Sequence, residues 1–343
     1  MQVPTADLEH VISYASSDLH ALKGAKLFIT GGTGYIGLWL LESLCYANKV
    51  LDLGISATVL SRNPKAFQSS SPHLANDRAI TLLAGDVRNF PFPRVKFTHA
   101  IHAATDVIAT NEPIHTFDVT TLGTRHVLEF CQQCEVNNVL LLSSGAIYGK
   151  IPHNIDLVTE AYRGCPDLDS TYSAYGIGKI VTEWLGTVYS NSQKFSCTSA
   201  RVFAQVGPYL ALDRQFAVGN FIQNALKAES FIIKGDGTPR RSYMYAADLV
   251  TWLWGILVRG QRCRAYNVGS DHSISIVDLA TKVAQTAGIT HPEICILSKP
   301  SQYQAPERYV PDISRAREEL GLEIRISLDD ALKRTLEWYR QQI

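Results

Sequence analysis

The sequence predicts an α/β chain built around a doubly wound parallel sheet. Three observations carry that reading: short apolar runs that do not alternate, their regular interleaving with helical stretches between residues 26 and 203, and a glycine-rich turn directly after the first run. The candidate strands are Lys26–Thr30, Ala57–Leu60, Ala79–Leu83, His99–His102, Asn138–Leu142 and Cys197–Phe203. Val139-Leu140-Leu141-Leu142 shows no polar alternation, as expected of a strand covered on both faces. Residues 1–23 read as an extra amphipathic helix ahead of the first strand. After Phe203 the rhythm breaks into loops carrying Gly207-Pro208, Gly235-Asp236-Gly237 and Thr238-Pro239, with separate helices near 217–228, 247–259, 276–288 and 328–341.

Lys plus Arg and Asp plus Glu number 32 each in 343 residues, so no bulk field draws the protein to nucleic acid or to an anionic membrane. A small molecule is the expected partner. The N-terminal stretch has neither the basic cluster nor the apolar run of a secretory leader, and no apolar stretch nears the ~20 residues of a membrane span. Leu249–Val258 reads as a buried helix. The seven cysteines are odd in number and scattered, which suits free thiols in a reducing compartment and predicts a cytoplasmic location. Cys131 and Cys134 form a CxxC near the end of a predicted helix, whereas redox pairs sit where a helix begins; neither a redox nor a metal role is assigned, and no metal site is expected.

The first strand runs into Gly31-Gly32-Thr33-Gly34-Tyr35-Ile36-Gly37 and then a leucine-rich helix. Strand, glycines and helix in that order form a dinucleotide fingerprint: the glycines at 31 and 34 permit a tight turn and close backbone approach to a pyrophosphate, which the helix N-terminus attracts. Gly37 is expected to let helix and sheet pack closely. The second strand ends in Ser61-Arg62, where NAD sites usually carry a carboxylate, so an arginine favours NADP over NAD through its fit to a 2′-phosphate. Asp86-Val87 after the third strand, and Ala103-Ala104-Thr105 after the fourth, are placed to line the cofactor. The predicted organisation is a helical extension (1–23), a Rossmann-like NAD(P)-binding domain (24–203, with 238–270 returning to it) and a smaller, partly interleaved α/β substrate-binding domain (204–237 and 271–343).

Tyr175 and Lys179 stand at i,i+4, roughly 6 Å apart on one helix face, close enough for the ammonium to lower the phenol pKa and poise it for proton transfer. Such a pair is common by chance. Ser144, at the end of the fifth strand where open sheets bind ligands, supplies a hydroxyl for a reacting carbonyl and strengthens the reading.

With these residues in view the sequence resembles the extended short-chain dehydrogenase/reductase family, also called the NAD-dependent epimerase/dehydratase family. Matching motifs run from Thr30–Gly37 through Ser143–Gly149, Tyr175 with Lys179, Arg201-Val202-Phe203 with Gly207-Pro208, Gly235-Asp236-Gly237, Arg241 and Asp248 to Asp312–Gly321. The resemblance implies that Tyr175 is the acid/base, that Lys179 binds the nicotinamide ribose and tunes Tyr175, and that Ser144 orients the substrate oxygen. It implies a nucleotide-diphosphate sugar as substrate, with Asn220, Arg241 and Arg308 among the residues that hold it. A homodimer through the Tyr175 helix and the helix near 121–133 is also implied, with Val127, Leu128, Ile180 and Trp184 on the joined faces.

The pattern departs from the family in informative places. The Asp-Glu pair that eliminates water in the family's dehydratases is Gly145-Ala146 here, which argues against 4,6-dehydration. The usual Asn in the helix after the fourth strand is Asp118, and the Asn after Arg201-Val202-Phe203 is Ala204. What remains is hydride transfer with one proton. The expected activity is reduction of a keto-sugar nucleotide; the alternatives are an epimerase with tightly held NAD and, from another class, a non-catalytic dinucleotide sensor.

Overall fold

The computed structural model describes residues 2–105, 112–192, 195–214, 216–299 and 305–342. Seven strands form the main sheet: β1 (Lys26–Thr30), β2 (Ser56–Ser61), β3 (Ile80–Ala84), β4 (His99–His102), β5 (Asn138–Ser144), β6 (Ser196–Val202) and β7 (Ala265–Val268). Their order is β7-β6-β5-β4-β1-β2-β3, every neighbouring pair parallel. The chain winds outward from β1 in one direction to β3 and in the other to β7, so the strand order reverses between β1 and β4. A crevice opens there beyond the carboxyl ends, where sheets of this kind take ligands.

The helices are α1 (Thr5–Ala21), α2 (Tyr35–Leu51), α3 (Pro64–Ser70), α4 (Pro72–Ala75), α5 (Pro113–Gln133), α6 (Ala174–Ser192), α7 (Ala217–Lys227), α8 (Ala246–Arg259), α9 (Ile276–Thr286), α10 (Ser314–Leu320) and α11 (Leu328–Arg340). β1, β5 and β6 are buried along nearly their whole length, which is why their sequences read as unbroken apolar runs. Phe28, Phe90, Phe97 and Phe130 fill one face of the sheet, Phe28 lying 4.2 Å from Phe130 and 5.3 Å from Phe90 between ring centroids. In α8, Ala246 to Leu257 are all buried, so this helix is apolar all round because it is enclosed on all sides. Among the described residues no helix is long and apolar enough to cross a membrane.

Two elements differ from expectation. β7 escapes the strand pattern because it is short and contains Tyr266 and Asn267, yet both are fully buried at the sheet edge. The N-terminal helix is present but is not held by an apolar stripe alone. Leu8, Val11, Ala15 and Leu19 are buried, and so are two carboxylates. Asp18 takes a forked pair of bonds from Arg259 (2.7 and 3.0 Å), and Asp7 accepts from the Tyr245 hydroxyl (2.6 Å) and from Arg334. His10 bonds Asp248 at 2.7 Å, and that carboxylate also accepts the backbone N–H groups of Arg325 and Ile326. Buried carboxylates need such partners, and α1 is thereby fastened to α8 and α11.

Beyond the sheet, a three-stranded patch centres on Arg240–Arg241, with Ile274–Ser275 antiparallel on one side and Arg308–Tyr309 parallel on the other. It brings the last part of the chain to the mouth of the crevice.

Leu19 is fully buried where α1 meets the core. Leu19→Ala is expected to cost about 2–5 kcal/mol in chemical denaturation, the range for an unfilled leucine cavity. A loss below ~1 kcal/mol would mean that α1 lies loosely on the fold.

Candidate active site

The glycine loop is shaped by contacts that exclude side chains. Gly31 has φ +70°, and a Cβ there would lie 2.5 Å from the Ala103 carbonyl carbon. A Cβ on Gly37 would lie 2.3 Å from the Gly31 oxygen and 2.4 Å from the Gly32 Cα, so the close approach at Gly37 is to the loop itself rather than to the sheet. Gly34 serves as the N-cap residue of α2, and Thr33 and Gly34 are exposed. Thr30 ties the loop to β4: its hydroxyl accepts from the N–H groups of Ala103 and Ala104 at 3.2 and 3.1 Å and bonds His102 Nδ1 at 2.8 Å. The result is a bare backbone cradle ending on a helix N-terminus, which fits a dinucleotide pyrophosphate.

Beside the cradle, Arg62 and Arg88 flank Asp86 at the ends of β2 and β3. Arg62 is exposed at the end of β2. Asp86, after β3, is gripped by Arg88 through Nε and NH2 at 2.9 and 2.8 Å; these bonds, with the Arg62 charge nearby, hold its carboxyl down to about 2. Ser61 is buried and its hydroxyl accepts the Asn63 N–H. Val87 packs into the aromatic side of the core, where a Cβ on Gly123 would meet its methyl at 2.7 Å. Tyr35 turns its phenol inward, where the oxygen has no hydrogen-bond partner, and Ile36 packs on the core, so these two contribute backbone to the cradle. Thr105 bonds the Thr120 hydroxyl at 3.1 Å.

Tyr175 and Lys179 both lie on the first half of α6, and β5 brings Ser144 to them. The Ser144 hydroxyl accepts the Ala146 N–H at 3.2 Å, and it lies near two phenols, those of Tyr175 and Tyr309, and pulls the pKa of each downward. Lys179 is fully buried, its ammonium donating to the Leu142 carbonyl at 2.6 Å and lying 5.6 Å from the centre of the Tyr175 ring. Desolvation brings Lys179 down to about 7, against which the Glu183 carboxylate pulls upward. Desolvation likewise raises the Tyr175 phenol, with only the Ser144 hydroxyl acting in the other direction. The expectation of a phenol acidified by the neighbouring ammonium is therefore overturned: the ammonium is turned to a carbonyl, and burial decides. His102 lies beside this group, fixed between Thr30 and Thr124 (2.8 and 3.0 Å), and burial keeps it neutral, down to about 3.

Tyr309 is the member that sequence reasoning missed. Its ring packs at a tilt against Phe203, with centroids 4.6 Å apart, and lies under the Arg241 guanidinium at 5.6 Å. Its hydroxyl stands over Gly145, where a Cβ would approach to 2.5 Å. Arg241 itself pairs with the exposed Glu307 at 3.0 Å, and Arg308 pairs with the exposed Asp156. Asn220, on α7, turns its amide nitrogen to the carbonyls of Leu212 and Arg214. Asp118 and Ala204 are half-buried. Cys131 and Cys134 are both buried at the end of α5, and among the described residues no group of His, Cys, Asp and Glu converges to hold a metal ion.

Residues 27–269 match the NAD dependent epimerase/dehydratase family. The chain belongs to that family. Two similar relatives are UDP-glucuronic acid decarboxylase 1 of Arabidopsis thaliana, 26% identical over 94% of this chain and 71% of the relative, and UDP-glucuronic acid decarboxylase 6 of the same plant, 27% identical over 93% and 90%. Among solved structures the fold resembles UDP-glucose 4-epimerase of Thermotoga maritima, with a TM-score of 0.77 at 22% identity, covering 92% of this chain and 99% of that one. It also resembles UDP-glucuronic acid 4-epimerase of Bacillus cereus, with a TM-score of 0.79 at 20% identity, covering 93% and 100%. The protein is an NAD-dependent enzyme of the short-chain dehydrogenase/reductase type.

Gly31→Ala puts a methyl against the Ala103 carbonyl in a backbone region that favours glycine, whereas Gly54, at φ +66°, has nothing within 4 Å of an added Cβ. Fluorescence titration with NADH and NADPH should show cofactor binding lost in Gly31→Ala and kept in Gly54→Ala, although both lose roughly 1 kcal/mol or more of stability from backbone strain. Equal affinities in the two variants would mean that this loop does not hold the cofactor.

Proposed function

We propose that the protein is an NADPH-dependent reductase of a keto-sugar carried on a nucleoside diphosphate. The carrying observation is the placement of Tyr175 one turn from Lys179 on α6 and beside Ser144 at the end of β5; burial raises the phenol, which holds its proton at neutral pH. A protonated phenol is poised to give a proton to a carbonyl oxygen that becomes an alkoxide, and a serine hydroxyl beside it orients that oxygen. The bound nicotinamide supplies the hydride. Lys179 holds the nicotinamide ribose in its protonated form, and the backbone cradle between Gly31 and Gly37 takes the pyrophosphate.

Arg62 at the end of β2, with Arg88 close by on Asp86, supports NADP over NAD, since guanidinium groups suit a 2′-phosphate and a reductase draws on a reduced pool. Arg241 and Arg308 are the candidate grips on the sugar diphosphate. Each is partly exposed and paired with an exposed carboxylate, an ion pair worth little in water, so a diphosphate can replace it. Asn220 lies on the neighbouring helix α7 as a further candidate substrate residue. Gly145 and Ala146 carry no acid or base, which speaks against water elimination. The likeness to decarboxylases and epimerases keeps a second reading in view, in which NAD is retained and the hydride returns to the same sugar.

The test is a panel of nucleotide sugars and their 4-keto derivatives, with NADPH and NADH absorbance followed and products identified. The expected result is oxidation of NADPH by a keto-sugar nucleotide, with turnover falling at least roughly a hundredfold in Tyr175→Phe while cofactor binding persists. Protein that retains oxidised NAD and interconverts sugars without added reductant would overturn the reductase in favour of the second reading. Full activity of Tyr175→Phe would remove the phenol from the mechanism.

A homodimer through α5 and α6 is part of the same proposal. Trp184, 61% accessible, and Ile114, Leu122 and Val188 form an exposed apolar surface on these helices that a second copy would cover, whereas Val127 and Leu128, expected on that face, are fully buried in the core of the protomer. Light scattering should give the mass of two chains, and Trp184→Glu should give one. A wild-type mass of one chain would reject the dimer.

A further inference from the structure

Glu183 is a partly buried carboxylate one turn beyond Lys179, so Tyr175, Lys179 and Glu183 follow at i, i+4 and i+8 on α6. Its partners come from the elements that carry the other reacting hydroxyl. Ser143, the residue before Ser144, donates to Oε1 at 2.5 Å. Arg201 on β6 donates through Nε at 2.9 Å to Oε1 and through NH2 at 2.7 Å to Oε2. The same guanidinium donates through NH1 to the Tyr148 hydroxyl at 2.8 Å and to the Glu160 carbonyl at 3.2 Å, and Tyr148 closes the turn that Ser144 opens. Tyr148 in turn donates to Asn267 on β7 at 2.7 Å. One carboxylate thus gathers the helix of Tyr175 and Lys179, both ends of the Ser144 turn, and the edge of the sheet.

Stability alone is a poor reason for such a pair, because apolar side chains of the same volume commonly stabilise as well as a buried ion pair does. We propose that Glu183 is a positioning residue, which through Ser143 and Arg201 fixes the Tyr175–Lys179 helix against the Ser144 turn and sets the charge that Lys179 feels. The second half follows from what faces Lys179: the Leu142 carbonyl from β5, neutral His102 from β4, the Tyr175 phenol and Glu183 from its own helix, and Arg201 behind Glu183 from β6. Among these groups Glu183 is the one anion. Its charge holds Lys179 protonated into the neutral range against the desolvation of a buried ammonium.

The inference rests on the proposed role of Lys179 in cofactor binding, and the test reads that role without any sugar. NADH and NADPH affinities are measured by fluorescence across neutral pH. In the wild type they should weaken as pH rises through about 7, where Lys179 loses its proton. In Glu183→Gln the weakening should move to lower pH by about one unit. Where a keto-sugar substrate is in hand, kcat should fall roughly tenfold to a hundredfold with KM little changed, the loss expected of a misplaced catalytic group. Because Gln leaves the Arg201 guanidinium buried without its carboxylate, Glu183→Asp is run beside it: its charge remains but reaches one methylene less far, so kcat should fall while the pH profile moves less. A wild-type pH profile of cofactor binding in folded Glu183→Gln would overturn the proposal. Absence of turnover by the wild type with every nucleotide sugar would sink the reductase, whereas the role of Glu183 stands or falls on the cofactor-binding profiles.

Discussion

A lysine ammonium buried at the core of the site is the constraint from which the rest of the arrangement follows. Removing such an ion from water costs several kcal/mol unless its protons find acceptors and an anion stands near. Lys179 meets that cost with the Leu142 carbonyl at the end of β5 and with the field of Glu183. Both are fixed by the sheet, so the ammonium cannot be relocated without disturbing strand ends. His102 shows the opposite solution to the same pressure. With threonine hydroxyls on both ring nitrogens it stays uncharged, so it adds no further cation beside Lys179.

Parallel strands make this convergence possible. The carboxyl ends of β1, β4, β5 and β6 meet at one edge, so Thr30, Ala103, Ser144 and Arg201 arrive within one region although 171 positions separate the first from the last. Local sequence then refines the edge. Gly31 lets β1 turn into α2 beneath the Ala103 backbone, and the Thr30 hydroxyl fastens the two strand ends together. The glycine cradle and the seat of Tyr175 and Lys179 therefore stand at adjacent strand ends, those of β1 and β4 tied together by the Thr30 hydroxyl.

What the sequence discloses about this site depends on how far apart the partners lie. The glycine turn and the Tyr175–Lys179 pair are legible because their geometry is set within one turn or one helix. Most of the strands are legible because burial on both faces leaves an apolar run. The contacts of Glu183 with Arg201, of Thr30 with His102, and of Ser144 with Tyr309 join separate elements, and nothing in the local pattern of either partner marks the other. The direction of the Tyr175 shift is illegible for a related reason: i,i+4 spacing reports proximity to a cation but not the desolvation around both groups, and desolvation is the larger effect. The same holds for Asp7 and Asp18, which in sequence resemble solvated positions of a surface helix and in the fold are buried acceptors.

Gly145 and Tyr309 extend this coupling to the C-terminal part of the chain. A glycine beside the reacting serine looks in sequence like the loss of a functional group. In the fold it is the space that the Tyr309 hydroxyl occupies: any Cβ at 145 would meet that oxygen at 2.5 Å and the Phe203 ring at 2.7 Å. The two residues are therefore a matched pair, and the phenol they admit lies near the same serine hydroxyl as Tyr175. Tyr309 is delivered by a strand paired with Arg240–Arg241, and its ring lies beneath Arg241. An anion that draws Arg241 away from Glu307 would therefore also change what lies over the Tyr309 ring. On the proposed reading, the Arg241 grip on the substrate and the Ser144 hydroxyl would be linked through this one ring, which would give the C-terminal strand a part in the chemistry although Tyr175 and Lys179 lie on α6 and Ser144 on β5.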